Sequence, residues 1–267
     1  MVKEKYGFSV KAIVLIVFFV MVGVNAAANL LPFNGLNTMQ VAELYPNLFT
    51  PAPFTFAIWS LIYFLLACYV LYQMGLFQGK GKKPDPALLK SVAIYFIVSS
   101  LANAGWIVSW HAEQIPLSLL LMAVILVCLI LVNLKLGGRE LRGREKFFLK
   151  WPFQIYFGWI TVAAIANVTV VLVSLGWNRW GLSEEAWLLI ILMVGLLIGV
   201  TVMLKQRGFA YGLVLIWAYG GILIRHVTTA GFDGVYLKAI VMLIVCLAVF
   251  AASAAYLLLS GKRCCRT

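Results

Sequence analysis

Acidic and histidine side chains are scarce in this chain, and their scarcity argues against most hydrolytic and metal-dependent chemistry. Of the 267 residues, only 9 are Asp or Glu and only 2 are His. His111 and Glu113 lie close together in sequence, but two residues do not make a metal site. The chain also lacks a Walker motif, a nucleophile elbow and a Cys-x-x-Cys pair. We therefore expect no metal site and no catalytic residues.

Long apolar runs are what the sequence has in abundance. Hydrophobic residues make up 64% and charged residues 11% of the chain, against about 45–50% and about 25% in soluble domains. About 20 apolar residues cross the hydrocarbon core of a bilayer as a helix, and a strand with open edges would leave backbone groups unpaired there. The sequence therefore predicts an all-α integral membrane protein with eight transmembrane helices. The predicted spans are about 11–31, 54–75, 90–110, 115–135, 151–175, 186–204, 209–227 and 235–260.

The basic residues predict how these spans are oriented. All of the 21 Lys and Arg residues except Arg179, Arg225 and Lys238 fall in every second gap between apolar runs. Short loops rich in Lys and Arg stay on the cytoplasmic side, so both termini are predicted to be cytoplasmic, in the cytoplasmic or plasma membrane. The first run resembles a secretory signal, but its apolar stretch extends to Leu31, longer than most signal cores, which favours an uncleaved span. Contact with anionic lipid explains the net charge of +12, so we expect membrane lipids, and not nucleic acid, as partners.

Three predicted spans carry aromatic and amide side chains on one face of the half nearer the outside. Their spacing of i, i+3 and i+7 or i+11 places each set on a single helical face. An aromatic belt at the interface explains some of these rings, and a buried Asn can simply join two helices. The third interpretation is an aromatic pocket for a flat hydrophobic ligand. The residues are Phe56, Trp59 and Tyr63 in the second span, Asn103, Trp106 and Trp110 in the third, and Tyr156, Trp159 and Asn167 in the fifth.

The gap at about 32–53 precedes the second span and is rich in turn-forming residues. Pro32, Pro46, Pro51 and Pro53 lie in it or at its edge. Such residues favour an ordered lid over a flexible tether, although a plain connector is the alternative.

Three motifs in these spans resemble the translocator protein family, also called tryptophan-rich sensory proteins (TspO/MBR). The stretch 50–63 reads Thr-Pro-Ala-Pro-Phe-Thr-Phe-Ala-Ile-Trp-Ser-Leu-Ile-Tyr and resembles the start of that family's second helix. Asn103-Ala-Gly-Trp106, followed by Trp110, is similar to its third-helix motif.

A third motif, in the fifth predicted span, completes the resemblance over roughly residues 10–176. Pro152, Trp159 and Asn167 resemble the family's Pro…Trp…Asn, with the same Trp-to-Asn spacing of eight. The chain also departs from the family. Phe54 stands where Trp is usual, the second-helix motif is one residue short between Phe56 and Trp59, and Pro152 lies three residues too far from Trp159.

The resemblance implies a five-helix bundle over 1–176, followed by a three-helix extension over 177–267 that the family does not explain. It further implies binding of a porphyrin or another flat hydrophobic ligand for sensing, sequestration or transport. A proposed light-dependent breakdown of porphyrin in that family keeps an enzymatic activity open. Two other functions also stay open, a secondary transporter or permease subunit and a structural or assembly protein, and a homodimer is compatible with each. The expected ligand-binding residues are Phe56, Trp59, Tyr63, Asn103, Trp106, Trp110, Trp159 and Asn167.

Overall fold

The structure is a computed structural model that describes residues 7–31, 35–79 and 84–263. Among these residues all regular elements are helices. Some residues used in the sequence argument lie outside the described ranges, namely Lys3, Lys5, Pro32, Lys80, Lys82, Lys83 and Arg266.

Eight helices in the described part of the chain are long and apolar enough to cross a membrane, which confirms the predicted fold class. Two short helices, one in a loop and one at the start of a span, complete the set. The helices are α1 (Phe8–Leu30), α2 (Thr38–Glu43), α3 (Ile58–Gln73), α4 (Pro86–His111), α5 (Ile115–Gly137), α6 (Gly143–Glu145), α7 (Trp151–Ser174), α8 (Glu184–Gln206), α9 (Phe209–Val227) and α10 (Leu237–Arg263).

Local sequence signals mark where several of the spans begin. Asp85 accepts a hydrogen bond from the backbone of the first turn of α4, and Ser183 does the same for α8. Such side chains satisfy backbone N–H groups that have no partner inside the helix. The second span begins as a 3₁₀ turn, Pro53–Ala57, that runs into α3. A π turn at Lys146–Lys150 leads into α7.

The helices form one continuous bundle in which α7 connects the first five spans to the last three. Helix α4 packs between α1 and α5, while α7 contacts α3, α5 and α9. Helix α9 then packs on α10, which also contacts α8. Gly158 allows the close approach of α7 and α9, because a Cβ there would lie 2.9 Å from the Tyr211 carbonyl oxygen.

Residues 35–57, which precede α3, form an ordered cap over one end of the bundle. We call residues 35–57 the cap segment, and the end of the bundle at which α1, α4, α7 and α9 finish the cap end. Asn37 and Gln40 form a capping box that begins α2. The Asn47 side chain accepts hydrogen bonds from the amides of Phe49 and Thr50. Side-chain caps and prolines thus hold this segment in a fixed path without a long helix.

Candidate ligand-binding site

The indole ring of Trp59 lies at the centre of an aromatic cluster in the half of the bundle nearer the cap end. It stacks on Tyr63 and on Trp106, with ring centroids 5.5 and 6.0 Å apart. It also makes edge-to-face contacts with Tyr156 and Trp159 at 6.1 and 6.2 Å. Rings at these separations attract one another beyond the burial of their area. The structure therefore brings together the aromatic stripes of α3, α4 and α7.

Phe56 and Trp110 extend the cluster at its two edges. Phe56 lies edge-to-face with Trp159 at 5.8 Å, and Trp110 stacks on Trp106 at 5.9 Å. Trp106, Trp110 and Trp159 are buried by protein, with 4–6% of their surface exposed. An interfacial belt facing lipid does not describe these three rings.

A small cavity lies between this cluster and the cap segment. It has a volume of about 60 Å³, room for about two water molecules at liquid density. The cap segment supplies its roof, and small side chains of α7 supply part of its wall. The residues around it are Thr38, Ala42, Phe49, Thr50, Pro51, Phe56, Trp59, Trp106, Trp110, Trp159, Val162, Ala163, Ala166, Asn167 and Val170.

A second space, of about 270 Å³, lies on the other side of Trp59 between α1 and α3. Phe56, Trp59 and Thr38 border both spaces. Polar groups of Asn29 and Ser60 lie at its exposed rim. Phe56 and Trp59 therefore form a partition between the cavity beneath the cap segment and a crevice between α1 and α3.

Three polar groups of the aromatic cluster are buried without a hydrogen-bond partner among the described residues. They are Nε1 of Trp106, Nε1 of Trp159 and the hydroxyl of Tyr63. Buried donors are nearly always paired in proteins, and leaving one unpaired costs about 1–3 kcal/mol. Each is therefore able to bind an acceptor on a ligand or a water molecule.

The two predicted amides, in contrast, already have partners on other helices. Asn103 accepts a hydrogen bond from Asn25 at 2.7 Å and donates one to the Tyr156 hydroxyl at 3.0 Å. This chain of side chains joins α1, α4 and α7 inside the protein. Asn103 does not border the cavity.

Asn167 borders the cavity and is also bonded to a neighbouring helix. Its Nδ2 donates to Ser118 Oγ of α5 at 3.1 Å. The sequence analysis identified Asn167 but not Ser118, because no local pattern relates two residues on separate helices. The Asn167 amide is therefore hydrogen-bonded to α5 and also lies beside the cavity.

The cap segment is attached to the end of α4. Trp110 Nε1 donates to the Thr38 carbonyl oxygen at 3.0 Å, and Thr38 Oγ1 lies 3.2 Å from Nε2 of His111. Tyr45 donates to the Glu113 carboxylate at 3.4 Å. Partial burial and the negative charge of Glu113 raise the pKa of the Tyr45 phenol, which keeps this donor protonated. Trp110 thus holds α2 as well as bordering the cavity.

The opposite edge of the cap segment is attached to α9, a contact that the sequence analysis did not predict. Ala52 N donates to the Gly221 carbonyl oxygen at 3.0 Å, and Trp217 Nε1 donates to the Thr55 carbonyl oxygen at 2.9 Å. His226 Nε2 donates to the Leu48 carbonyl oxygen at 2.9 Å. The unusual placement of Arg225 and His226 near the end of a span was the only local signal of this contact.

A third recess at the cap end lies apart from the Trp59 cluster. It has a volume of about 330 Å³ and is bordered by Trp177, Trp187 and the Arg179–Glu184 ion pair. Trp177 contacts Trp180 and Trp187 rather than the Trp59 cluster. Trp177 is therefore a suitable reference when the rings of the cluster are substituted.

Comparison with known proteins gives a family match that covers nearly the whole chain. A family model described as TSPO-like protein matches residues 11–256. The match extends from α1 into α10, beyond the five spans on which the motif resemblance rests. No curated protein and no solved structure matches the chain.

Proposed function

The chain belongs to the TSPO-like protein family, and on that premise we propose that it binds a flat hydrophobic ligand, such as a porphyrin or another tetrapyrrole, at the Trp59 cluster. Membership of this family indicates membrane-embedded ligand binding or sensing in general. The tetrapyrrole and the residues that contact it are our proposal.

The observation that carries this proposal is the pair of unpartnered indole N–H groups in an aromatic wall. Nε1 of Trp106 and Nε1 of Trp159 are buried without a partner among the described residues, and both residues border the cavity beneath the cap segment. A planar ligand offers its face to the rings and, if it carries carboxylates as porphyrins do, acceptor oxygens to the N–H groups. Stacking and hydrogen bonding would then act on one molecule.

The available space requires that the partition moves when such a ligand binds. Pockets for drug-sized ligands have volumes of about 300–1,000 Å³, and the cavity measures about 60 Å³. The crevice behind Trp59 measures about 270 Å³. Rotation of Trp59, which is only partly buried, would join the two spaces. We therefore propose Trp59 as the movable wall of the site.

Substitution of the indoles by phenyl rings tests the proposal. Trp106→Phe and Trp159→Phe remove the N–H group but keep an aromatic ring. Loss of one net hydrogen bond of about 0.5–1.5 kcal/mol should raise the Kd for protoporphyrin IX about 2- to 10-fold. Trp59→Phe, which loses ring area, should raise the Kd to a similar extent. The Kd is measured from the absorbance of the porphyrin, because its signal does not depend on which tryptophan is absent.

Trp177→Phe is the matched control, since Trp177 lies outside the cluster and should leave the Kd unchanged. If all four variants bind protoporphyrin IX like the parent, the Trp59 cluster is not the binding site. If the parent itself does not bind, the tetrapyrrole is the wrong ligand class.

A further inference from the structure

Helix α9 belongs to the last three spans, for which the motif resemblance implies no role, and it contacts the cap segment. Helix α9 reaches residues more than 150 positions earlier in the sequence through backbone and side-chain donors and acceptors. Every cap-segment partner in these bonds is a backbone group. The contacts therefore fix the path of the chain rather than recognise particular cap side chains.

Gly221 is where α9 and the cap segment approach most closely. Its carbonyl oxygen accepts the bond from Ala52 N. A Cβ at this position would overlap the Thr55 side chain, including its Cγ2 at 2.7 Å and its Cβ at 2.9 Å. Only glycine allows the two backbones to approach this closely. At the neighbouring Gly220 a Cβ would meet nothing within 4 Å, so α9 has one glycine for the contact and one beside it that serves as a comparison.

His226 makes a second, buried attachment one and a half turns further along α9. Its side chain has 0% exposure, and its Nε2 donates to the Leu48 carbonyl oxygen. Phe232 and Tyr236 lie against the imidazole, with ring centroids at 4.8 and 5.8 Å. A ring held on its other sides by aromatic neighbours has little freedom to turn away from Leu48.

The attached cap residues alternate with those that border the cavity beside Trp59. Leu48, Pro51, Ala52 and Thr55 are bonded to α9, while Phe49, Thr50 and Phe56 line the cavity, which Pro51 also borders. Movement of the attached residues would therefore move the roof of the cavity. We propose that Gly221, Trp217 and His226 are positioning residues that hold this roof in place and so slow the release of ligand.

This proposal rests on the proposed function for its effect on ligand, but the attachment can be tested without ligand. Gly221→Ala should separate α9 from the cap segment, and Gly220→Ala, the same change one residue earlier, should not. Hydrogen–deuterium exchange of the full-length protein in nanodiscs is expected to be at least 10-fold faster over residues 45–57 in Gly221→Ala. Exchange in α4 and α5 should stay as in the parent.

The second measurement is the dissociation rate of protoporphyrin IX in stopped flow. We expect it to rise at least 5-fold in Gly221→Ala and to stay unchanged in Gly220→Ala. His226→Leu should raise it as well, whereas His226→Gln, whose amide can donate to the Leu48 carbonyl, should restore the parent rate in part. If His226 contributed only to folding, His226→Leu and His226→Gln should raise the dissociation rate equally, because both replace a buried imidazole.

The outcomes separate the two proposals. Unchanged exchange over 45–57 in Gly221→Ala would show that α9 does not hold the cap segment. Faster exchange with an unchanged dissociation rate would show that the attachment does not act on the site. If the parent binds no porphyrin, the proposed ligand is wrong, and the exchange measurement still decides whether α9 holds the cap.

Discussion

At the residue scale, the polar atoms of the site divide into those that hold the bundle together and those that stay available. The amide of Asn103 is used by Asn25 and Tyr156, whereas the N–H groups of Trp106 and Trp159 have no partner among the described residues. In the sequence, Asn103 and Trp106 belong to the same one-sided stripe of a single span. Only the positions of the neighbouring helices distinguish the two roles.

The Asn25–Asn103–Tyr156 chain gives a prediction at this scale. Asn103→Leu should lower the free energy of unfolding by about 1 kcal/mol, since hydrogen bonds between membrane helices contribute about 0.6–2 kcal/mol. Tyr156→Phe should cost less in the Asn103→Leu background than in the parent, because the shared bond is already absent. Unfolding by SDS in mixed micelles, followed by circular dichroism, measures both quantities. If Asn103→Leu keeps full stability but weakens porphyrin binding, Asn103 acts on the ligand directly.

At the element scale, α7 is the helix on which both parts of the bundle depend. It carries Trp159 and Asn167 toward the cavity and packs its other side on α9 through Gly158. The predicted division into residues 1–176 and 177–267 follows the motif resemblance and stays a prediction. The family match over 11–256 and the attachment of the cap segment to α9 both cross that boundary.

The glycine at the α7–α9 interface makes this dependence testable. Gly158→Ala would place a methyl group 2.9 Å from the Tyr211 carbonyl oxygen and from the Val214 Cβ. Overpacking of this kind costs about 1–3 kcal/mol, so the variant should unfold at lower SDS fractions than the parent. Gly23→Ala on α1, where a Cβ meets nothing within 4 Å, is the control and should be as stable as the parent. If Gly158→Ala and Gly23→Ala unfold at the same SDS fraction, the close contact of α7 and α9 at Gly158 does not contribute to stability.

At the scale of the whole molecule, most of the described Lys and Arg residues lie at the end of the bundle opposite the cap segment. Arg139 pairs with Asp85, and Lys135 lies 5.8 Å from the Tyr95 ring, both at the end away from the cap. The cap end carries Arg179 and Arg225. The loop charges predict that the cap end faces outside, an orientation that the helices themselves do not determine.

Labelling of single cysteines tests this orientation. In a cysteine-free background, Asn178→Cys at the cap end should react with an impermeant maleimide added to intact cells. Arg142→Cys at the opposite end should react only after the membrane is permeabilised. The reverse pattern would place the cap segment and the Trp59 cavity in the other leaflet.

The aromatic stripes show how far the sequence leads and where it stops. A helical period places Phe56, Trp59 and Tyr63 on one side of one span, and in the structure this side meets the stripes of α4 and α7. Periodicity within one helix does not specify which residue of another helix it meets. Phe49 of the cavity roof and Ser118 beside Asn167 therefore had no signal in the sequence.

The sequence by itself determined that this is a membrane protein with eight helical spans, because apolar length and the need to pair every backbone group in lipid are local properties. It also determined which helix faces carry aromatic rings. The tertiary structure decided which polar groups are used between helices and which remain unpaired beside the cavity. It also decided that α9 holds the cap segment over that cavity. These outcomes depend on contacts between residues such as Leu48 and His226, which are distant in the chain and become neighbours only when the whole bundle has packed.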